Sequence, residues 1–214
     1  MNNTELIFRN LIERYPVLEP VQESIRQAGE VLENCYKNGG KLLIGGNGGS
    51  SADAEHIVGE LMKGFVKKRP LPDEIKRAIM AADAAGGKQL ADSLQGALPA
   101  IALSGHPGLS TAFLNDVDGE MTYAQQLYGY GQAGDVFLGI STSGNSKNID
   151  YAVTVAKALR LPVVGLTGKD GGILARRADV AIVVPEDETF KIQELHLPIY
   201  HTLCLMLEEC FFKE

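Results

Sequence analysis

The sequence predicts an α/β fold in which helices cover both faces of a parallel β-sheet. Five short apolar runs, each bounded by glycine, proline or charge, are continuous rather than alternating, as in strands buried on both faces. Segments with helical periodicity separate these runs, so strands and helices alternate along the chain. The five strands are predicted at 41–45, 99–103, 135–140, 162–167 and 179–184.

Helices are predicted before, between and after the strands. Two precede the first strand, at 6–12 and 21–36, and one long helix follows the last strand at 189–212. Between strands, the segment 148–159 is typical because its apolar residues recur at i, i+3, i+4 and i+7. Pro198 lies inside the terminal helix, where it removes a backbone hydrogen bond, so a kink or a break is expected there.

The segment 67–98 differs from the rest of the chain. Three basic residues, Lys67, Lys68 and Arg69, precede Pro70 and Pro72, and an alanine-rich amphipathic stretch follows that is interrupted at Gly86 and Gly87. This pattern predicts a helical hairpin on the surface. A lid over a binding site, or a contact between subunits, is the alternative interpretation.

Composition and charge exclude several classes of protein. With 45% hydrophobic and 22% charged residues, the chain has the amino-acid composition of a globular protein. This composition excludes a disordered chain and a coiled coil. Acidic residues outnumber basic ones 27 to 20, so the chain has a net negative charge. A negative charge opposes binding to the phosphate backbone of nucleic acids, so no nucleic-acid partner is expected. No run reaches the roughly 18 apolar residues of a membrane span. The first residues also lack the apolar core of a signal peptide, so we expect a cytoplasmic protein without a membrane partner.

Two junctions rich in glycine and serine follow predicted strands. The first strand runs into 45–51, where glycines let the backbone approach a ligand and a following helix N-terminus favours an anion. The third strand runs into 139–146, which also precedes a helix. One hydroxyl suffices to cap a helix, whereas this junction has four, so it favours a phosphate: Ser141, Thr142, Ser143 and Ser146. The two junctions predict a small phosphorylated ligand across the carboxyl edge of the sheet.

Two pairs of side chains can carry out chemistry. His56 and Glu60 are four positions apart on the helix after the first junction, so they share a face and can bind one metal or act on one substrate atom. A solvated surface pair is the alternative. On the terminal helix Gln193 and His201 are about 80° apart and can face one pocket. His196 lies on another face of the helix. We interpret it as a core histidine that forms a hydrogen bond with a backbone carbonyl.

Together these motifs resemble the phosphoheptose isomerase family of sugar isomerase (SIS) domain proteins. The resemblance covers nearly the whole chain except 67–98. It implies one SIS domain over 1–214, with a helical insertion at about 67–98. The implied fold is a three-layer αβα sandwich with a five-stranded parallel sheet, N-terminal helices and a long C-terminal helix. The residues that carry the resemblance are 46–51, Asp53, His56, Glu60, 139–146, 166–172 and 192–196.

The resemblance also implies an activity. Similar enzymes convert sedoheptulose 7-phosphate into D-glycero-D-manno-heptose 7-phosphate through an enediol, early in the synthesis of ADP-heptose and the lipopolysaccharide core, as cytoplasmic homotetramers. Glu60 would be the base and His201 its acid/base partner. One zinc ion per subunit would bind to His56, Glu60, Gln193 and His201. The substrate would contact Asn47, Gly48, Gly49, Ser50, Asp116, Ser141, Thr142, Ser143, Ser146 and Gln193.

The residues support this activity independently but leave alternatives open. Aldose-ketose isomerisation needs a carboxylate that removes a carbon-bound proton and a second group that moves a proton on oxygen. A non-enzymatic SIS protein that binds a replication initiator or a phosphosugar is one alternative, although Glu60 and His201 favour an enzyme. An isomerase for another phosphosugar is the second. One departure from the family is that Gly64 replaces its usual basic residue, while Lys63 stands one place early.

Overall fold

A parallel sheet of five strands forms the centre of this computed structural model, which describes residues 3–212. Residues 1, 2, 213 and 214 of the predicted domain therefore lie outside the described part. The strands are β1 (Leu42–Gly46), β2 (Ala100–Ala102), β3 (Val136–Ser141), β4 (Val163–Thr167) and β5 (Val180–Val183). Their order in the sheet is β2-β1-β3-β4-β5. The predicted sheet is confirmed, and each predicted strand agrees to within one residue at either end.

Helices occupy both faces of the sheet, so the fold is the predicted αβα sandwich. Alternate strand residues point to opposite faces. In chain order the helices are α1 (Asn3–Arg14), α2 (Gln22–Lys37), α3 (Gly49–Met62), α4 (Asp73–Ala82), α5 (Gly87–Ser93), α6 (Pro107–Asp116), α7 (Thr122–Tyr130), α8 (Lys147–Ala158), α9 (Gly172–Arg177) and α10 (Thr189–Phe211). Leu42 and Ile44 pack with apolar residues of α1, α2, α3 and α10, whereas Leu43 packs with those of α7, α8 and α9.

The terminal helix α10 runs unbroken through Pro198, so a break at that residue is not observed. A proline inside a helix costs about 3 kcal/mol. Burying a large apolar side chain contributes about 1.5–3 kcal/mol, and the neighbouring Ile192, Ile199 and Tyr200 are all buried. Tertiary packing on either side of the proline therefore offsets the lost hydrogen bond. Although α10 has 23 residues, neither it nor another helix within residues 3–212 is long and apolar enough to cross a membrane.

The segment 67–98 forms a surface hairpin of α4 and α5. The two helices pack against each other, and α4 has no buried residue. An isolated antiparallel bridge between Pro70 and Gln95 closes the base of the hairpin. Because Arg69 at this base is buried, the hairpin is anchored at its root rather than along its length.

A change of direction in the sheet positions the functional loops. β1 and β3 are neighbours, and Gly45 pairs with Gly139. The chain leaves β1 for α3 on one face and leaves β3 for α8 on the other face. Loops that diverge in this way open a crevice beyond the carboxyl ends of the strands, where α/β proteins bind ligands.

Candidate active site

The two predicted ligand loops form one crevice. Asn47, in the loop after β1, and Asn148, in the first turn of α8, exchange two amide hydrogen bonds of 2.9 and 2.8 Å. Gly48 precedes α3 with a φ of 55°, a conformation that favours glycine. The loops are therefore joined by side chains as well as by the adjacent strands.

Hydroxyl groups and a tight turn line the loop after β3. Ser141 Oγ and Ser146 Oγ are 2.9 Å apart. Ser143 Oγ accepts a hydrogen bond of 3.2 Å from the backbone N–H of Asn145. Gly144 has a φ of 65°, and a Cβ there would overlap the carbonyl oxygen of Gly171. The turn therefore requires glycine. With the N-terminus of the 12-residue helix α8 beside it, the loop presents donors suited to a phosphate.

Gln193 of α10 reaches the loop after β1. A Cβ at Gly49 would lie 2.5 Å from Gln193 Nε2, so only glycine allows this close approach. Ser50 is buried, and its contact with the sugar stays a prediction. The terminal helix thus contributes Gln193 to the crevice. That Gln193 and His201 face one pocket stays a prediction.

His56, Glu60 and His201 come together between α3 and α10. His56 Nε2 lies 3.2 Å from Glu60 Oε1 and 3.4 Å from His201 Nε2. Burial lowers the pKa of His201, the nearby His56 lowers it further, and Glu60 opposes the shift. His201 is therefore neutral near pH 7 and can donate or accept a proton at physiological pH.

Tyr200 and Asp53 set the orientation and the tautomer of His56. Tyr200 Oη donates to Asp53 Oδ1 at 3.2 Å and lies 3.0 Å from His56 Nδ1. A hydroxyl has one proton, and an ionised carboxylate only accepts, so Tyr200 accepts the Nδ1 proton of His56. Burial raises the pKa of Asp53, and the hydrogen bond from Tyr200 opposes that shift. In the neutral ring, His56 Nε2 therefore carries a lone pair directed at Glu60 and His201.

The donor atoms around His56 have the chemistry of zinc ligands. Zinc accepts imidazole nitrogen and carboxylate oxygen, and lone pairs within 3.2–3.4 Å of each other repel unless a cation or a proton lies among them. As they stand, however, the side chains of residues 3–212 include no group of three or more His, Cys, Asp or Glu arranged to hold a metal ion. Zinc binding at this position stays a prediction.

Asp116 and His196 lie apart from this convergence. Asp116 ends α6, is exposed, and accepts a hydrogen bond from the neighbouring Asn115 at 2.7 Å. Its contact with a sugar stays a prediction. His196 is fully buried with Nε2 at 3.3 Å from the Thr167 carbonyl, and burial lowers its pKa to about 4 against that hydrogen bond. The core interpretation of His196 is therefore confirmed.

Sequence reasoning missed the roles of three site residues. Asp53 stands three positions before His56, so helical spacing could have placed both on one face. Tyr200 lies in an apolar run and gives no signal beyond that of a core residue. Lys63, one place earlier than the family's usual basic residue, still brings its Nζ within 3.2 Å of Glu60 Oε2.

Known proteins resemble the chain over nearly its whole length. SIS-domain family models match residues 8–91 and 110–208. A phosphoheptose isomerase from Aneurinibacillus thermoaerophilus is 38% identical over 195 residues, 91% of this chain and 85% of that protein. One from Nitratiruptor sp. is 38% identical over 211 residues, 97% of this chain and 99% of that protein. The solved phosphoheptose isomerase of Neisseria gonorrhoeae, 32% identical, superposes with a TM-score of 0.73 over 94% of each chain. The chain therefore belongs to the phosphoheptose isomerase family of SIS-domain phosphosugar isomerases.

Proposed function

We propose that the chain interconverts sedoheptulose 7-phosphate and D-glycero-D-manno-heptose 7-phosphate, early in the synthesis of ADP-heptose and the lipopolysaccharide core. The observation that carries the proposal is the convergence of Glu60 and His201 around His56, with contacts of 3.2 and 3.4 Å. The names of the relatives, phosphoheptose isomerase, support the choice of a heptose.

The proposed reaction moves one proton between C1 and C2 of the sugar. Glu60, as a carboxylate, removes the proton from one carbon and returns it to the other. His201, as a neutral imidazole, gives a proton to the carbonyl oxygen and takes one from the neighbouring hydroxyl, so that an enediol forms and collapses. Positioned acid-base groups of this kind contribute about 10² to 10⁴ in rate.

Substrate binding is proposed for the crevice between the two loops. The phosphate is held by hydroxyls at the N-terminus of α8, from Ser141, Thr142, Ser143 and Ser146. The dipole of α8 adds to the attraction for a dianion. The sugar is placed by Asn47, Gly48, Gly49, Ser50, Asp116 and Gln193. The reciprocal bonds between Asn47 and Asn148 support a shared site, because they tie the loop after β1 (residues 47–48) to the start of α8, next to the phosphate loop (residues 142–146).

The proposal includes one zinc ion per subunit, held by His56, Glu60, Gln193 and His201. The lone pairs that meet at His56 Nε2 support a cation at this position. When bound, zinc supplies a positive charge that polarises a carbonyl. Glu60 and His201 exchange protons with substrate only when neither coordinates the metal. Elemental analysis of protein purified without added metal tests the occupancy, and unchanged activity after chelation would remove zinc from the catalytic role.

A cytoplasmic homotetramer is also part of the proposal. His201, Phe65 and Arg14 are among the residues that line an open cavity of about 430 Å³ between α1 and α10. A neighbouring copy that covered this cavity would exclude water from His201. Light scattering on the purified protein measures the assembly, and a monomer at assay concentration would contradict it.

The substrate assignment is tested with a panel of ketose phosphates of five, six and seven carbons. We expect turnover of sedoheptulose 7-phosphate, and faster turnover of it than of the shorter sugars. Turnover of a shorter sugar alone would favour an isomerase for another phosphosugar. A panel without turnover, together with binding of a phosphosugar, would favour a non-enzymatic SIS protein.

A further inference from the structure

A buried ion pair joins the two helices that carry Glu60 and His201. Arg69 Nε donates to Glu208 Oε1 at 2.8 Å, and the two side chains are 0% and 1% exposed. Arg69 stands at the base of the α4–α5 hairpin, and Glu208 lies on α10, seven residues and about two turns after His201. No proton transfer proposed above uses either residue.

Arg69 holds the end of α3 at Glu60 itself. Its Nη2 donates to the Glu60 carbonyl at 3.0 Å, and its Nη1 donates to the Leu61 carbonyl at 2.7 Å. α3 ends at Met62, so these carbonyls belong to the last turn, where no helical N–H is available to them. The guanidinium therefore fixes the backbone position from which the Glu60 carboxylate extends.

Glu208 fixes the segment that reaches His201. Its carboxylate accepts hydrogen bonds from three consecutive amides, those of Phe65, Val66 and Lys67, at 2.8, 3.0 and 3.1 Å. The Phe65 ring that this turn presents lies with its centroid 5.3 Å from that of His201. The carboxylate thus holds the ring against which the imidazole packs.

We infer that Arg69 and Glu208 are positioning residues that set Glu60 and His201 relative to each other, an inference that rests on the proposed isomerase function. Arg69 acts on Glu60 through its backbone, and Glu208 acts on His201 through Phe65. The buried ion pair between Arg69 and Glu208 therefore determines the positions of both proton-transfer groups. A misplacement of about 1 Å in such groups can cost about 10²-fold in rate.

The test compares Arg69→Lys with Arg69→Met. A lysine keeps the charge opposite Glu208, but its single ammonium lacks the planar fork that reaches both carbonyls. We expect Arg69→Lys to recover most of the melting temperature lost in Arg69→Met. Its kcat on sedoheptulose 7-phosphate should nonetheless fall about 10- to 100-fold, with KM changed less than about threefold because the phosphate loop is untouched. A folded Arg69→Lys with kcat within about twofold of wild type would overturn the inference.

A second variant keeps the test decisive if Arg69→Lys does not fold. Arg69→Met combined with Glu208→Gln removes both charges together, a change that buried pairs often tolerate, and leaves an amide oxygen for the backbone N–H groups. The same loss of kcat is expected, and wild-type kcat in the folded double variant would overturn the inference.

A matched control separates positioning from stability. Lys41 and Asp135 form another largely buried pair, which lies at the amino ends of β1 and β3, away from the crevice. Asp135→Asn should lower the melting temperature and leave kcat unchanged. If wild-type protein turns over no ketose phosphate, the proposed function fails and the inference falls with it. If wild type and Arg69→Lys are equally active, only the inference fails.

Discussion

The Nε2 atoms of His56 and His201 lie 3.4 Å apart, although 145 positions separate the two residues in the chain. α3 and α10 pack on the same face of the sheet and bring the rings together. Because Tyr200 accepts the Nδ1 proton of His56, the opposite nitrogen of the neutral ring presents its lone pair to His201 and Glu60. The Tyr200 hydroxyl therefore determines what His56 can bind.

Replacing Tyr200 with phenylalanine should weaken the proposed zinc site. The variant Tyr200→Phe removes the partner of His56 Nδ1, and loss of such a partner typically costs about 10- to 100-fold in metal affinity. Competition with a chromophoric chelator measures the zinc Kd. Tyr36→Phe is the matched control, because its buried hydroxyl bonds to the Pro99 carbonyl away from the crevice. Equal zinc Kd values for wild type and Tyr200→Phe would show that this hydroxyl does not set the state of His56.

Glu60→Gln should strongly slow proton abstraction and leave the fold intact. Glutamine has the same shape but is not basic, so the rate should fall by about 10² to 10⁴. In deuterated water, NMR follows incorporation of solvent deuterium into the substrate C–H bond, which the variant should also lose. Glu30→Gln, the same change at an exposed position of α2, is expected to behave as wild type. Isomerisation by Glu60→Gln at near wild-type rate would exclude Glu60 as the base.

The loops of the crevice could be predicted from sequence because local physics determines them. A continuous apolar run predicts each buried strand. The residue types in the loop that follows a strand, glycine above all, indicate the backbone conformation of that loop. Gly48 and Gly144 both have positive φ, and a Cβ at Gly144 would overlap the backbone of Gly171. Helical spacing likewise placed His56 with Glu60 correctly.

The parts that could not be predicted depend on contacts between distant segments. Arg69 lies in a basic run that is typical of a solvated surface, since burial of a charge is costly unless it is paired. Its partner Glu208 is 139 positions away, and nothing local marks the pairing. The sequence around Tyr200 does not indicate its role either, because that role depends on contacts of its hydroxyl with Asp53 and His56 from another helix. Pairings of this kind arise from packing and leave no periodic signal.

Gly144→Ala should damage phosphate binding and stability together. The substitution adds a Cβ at a φ of 65° that overlaps the Gly171 carbonyl, so the loop after β3 must shift. Destabilisation of about 1 kcal/mol or more is expected from strain of this kind, and KM for the sugar phosphate should rise about tenfold, about 1.4 kcal/mol in binding. Gly129→Ala on α7 is the control, since its Cβ meets nothing within 4 Å. Unchanged KM in Gly144→Ala would contradict a role for this loop in phosphate binding.

His196 should make the fold sensitive to mild acid. Burial lowers its pKa to about 4, whereas in the unfolded chain the pKa is about 6.5. Between these values the unfolded state binds the extra proton, so stability is complete above about pH 6.5 and falls as pH drops toward 4, by up to about 3 kcal/mol. The physical cause is that His196 Nδ1 has no hydrogen-bond partner among the described residues, so protonation there would bury an unpaired charge. His196→Gln keeps a donor for the Thr167 carbonyl but does not titrate, and urea unfolding from pH 4.5 to 7.5 should show a flatter profile for this variant. Parallel profiles for the two proteins would assign the acid sensitivity to other groups.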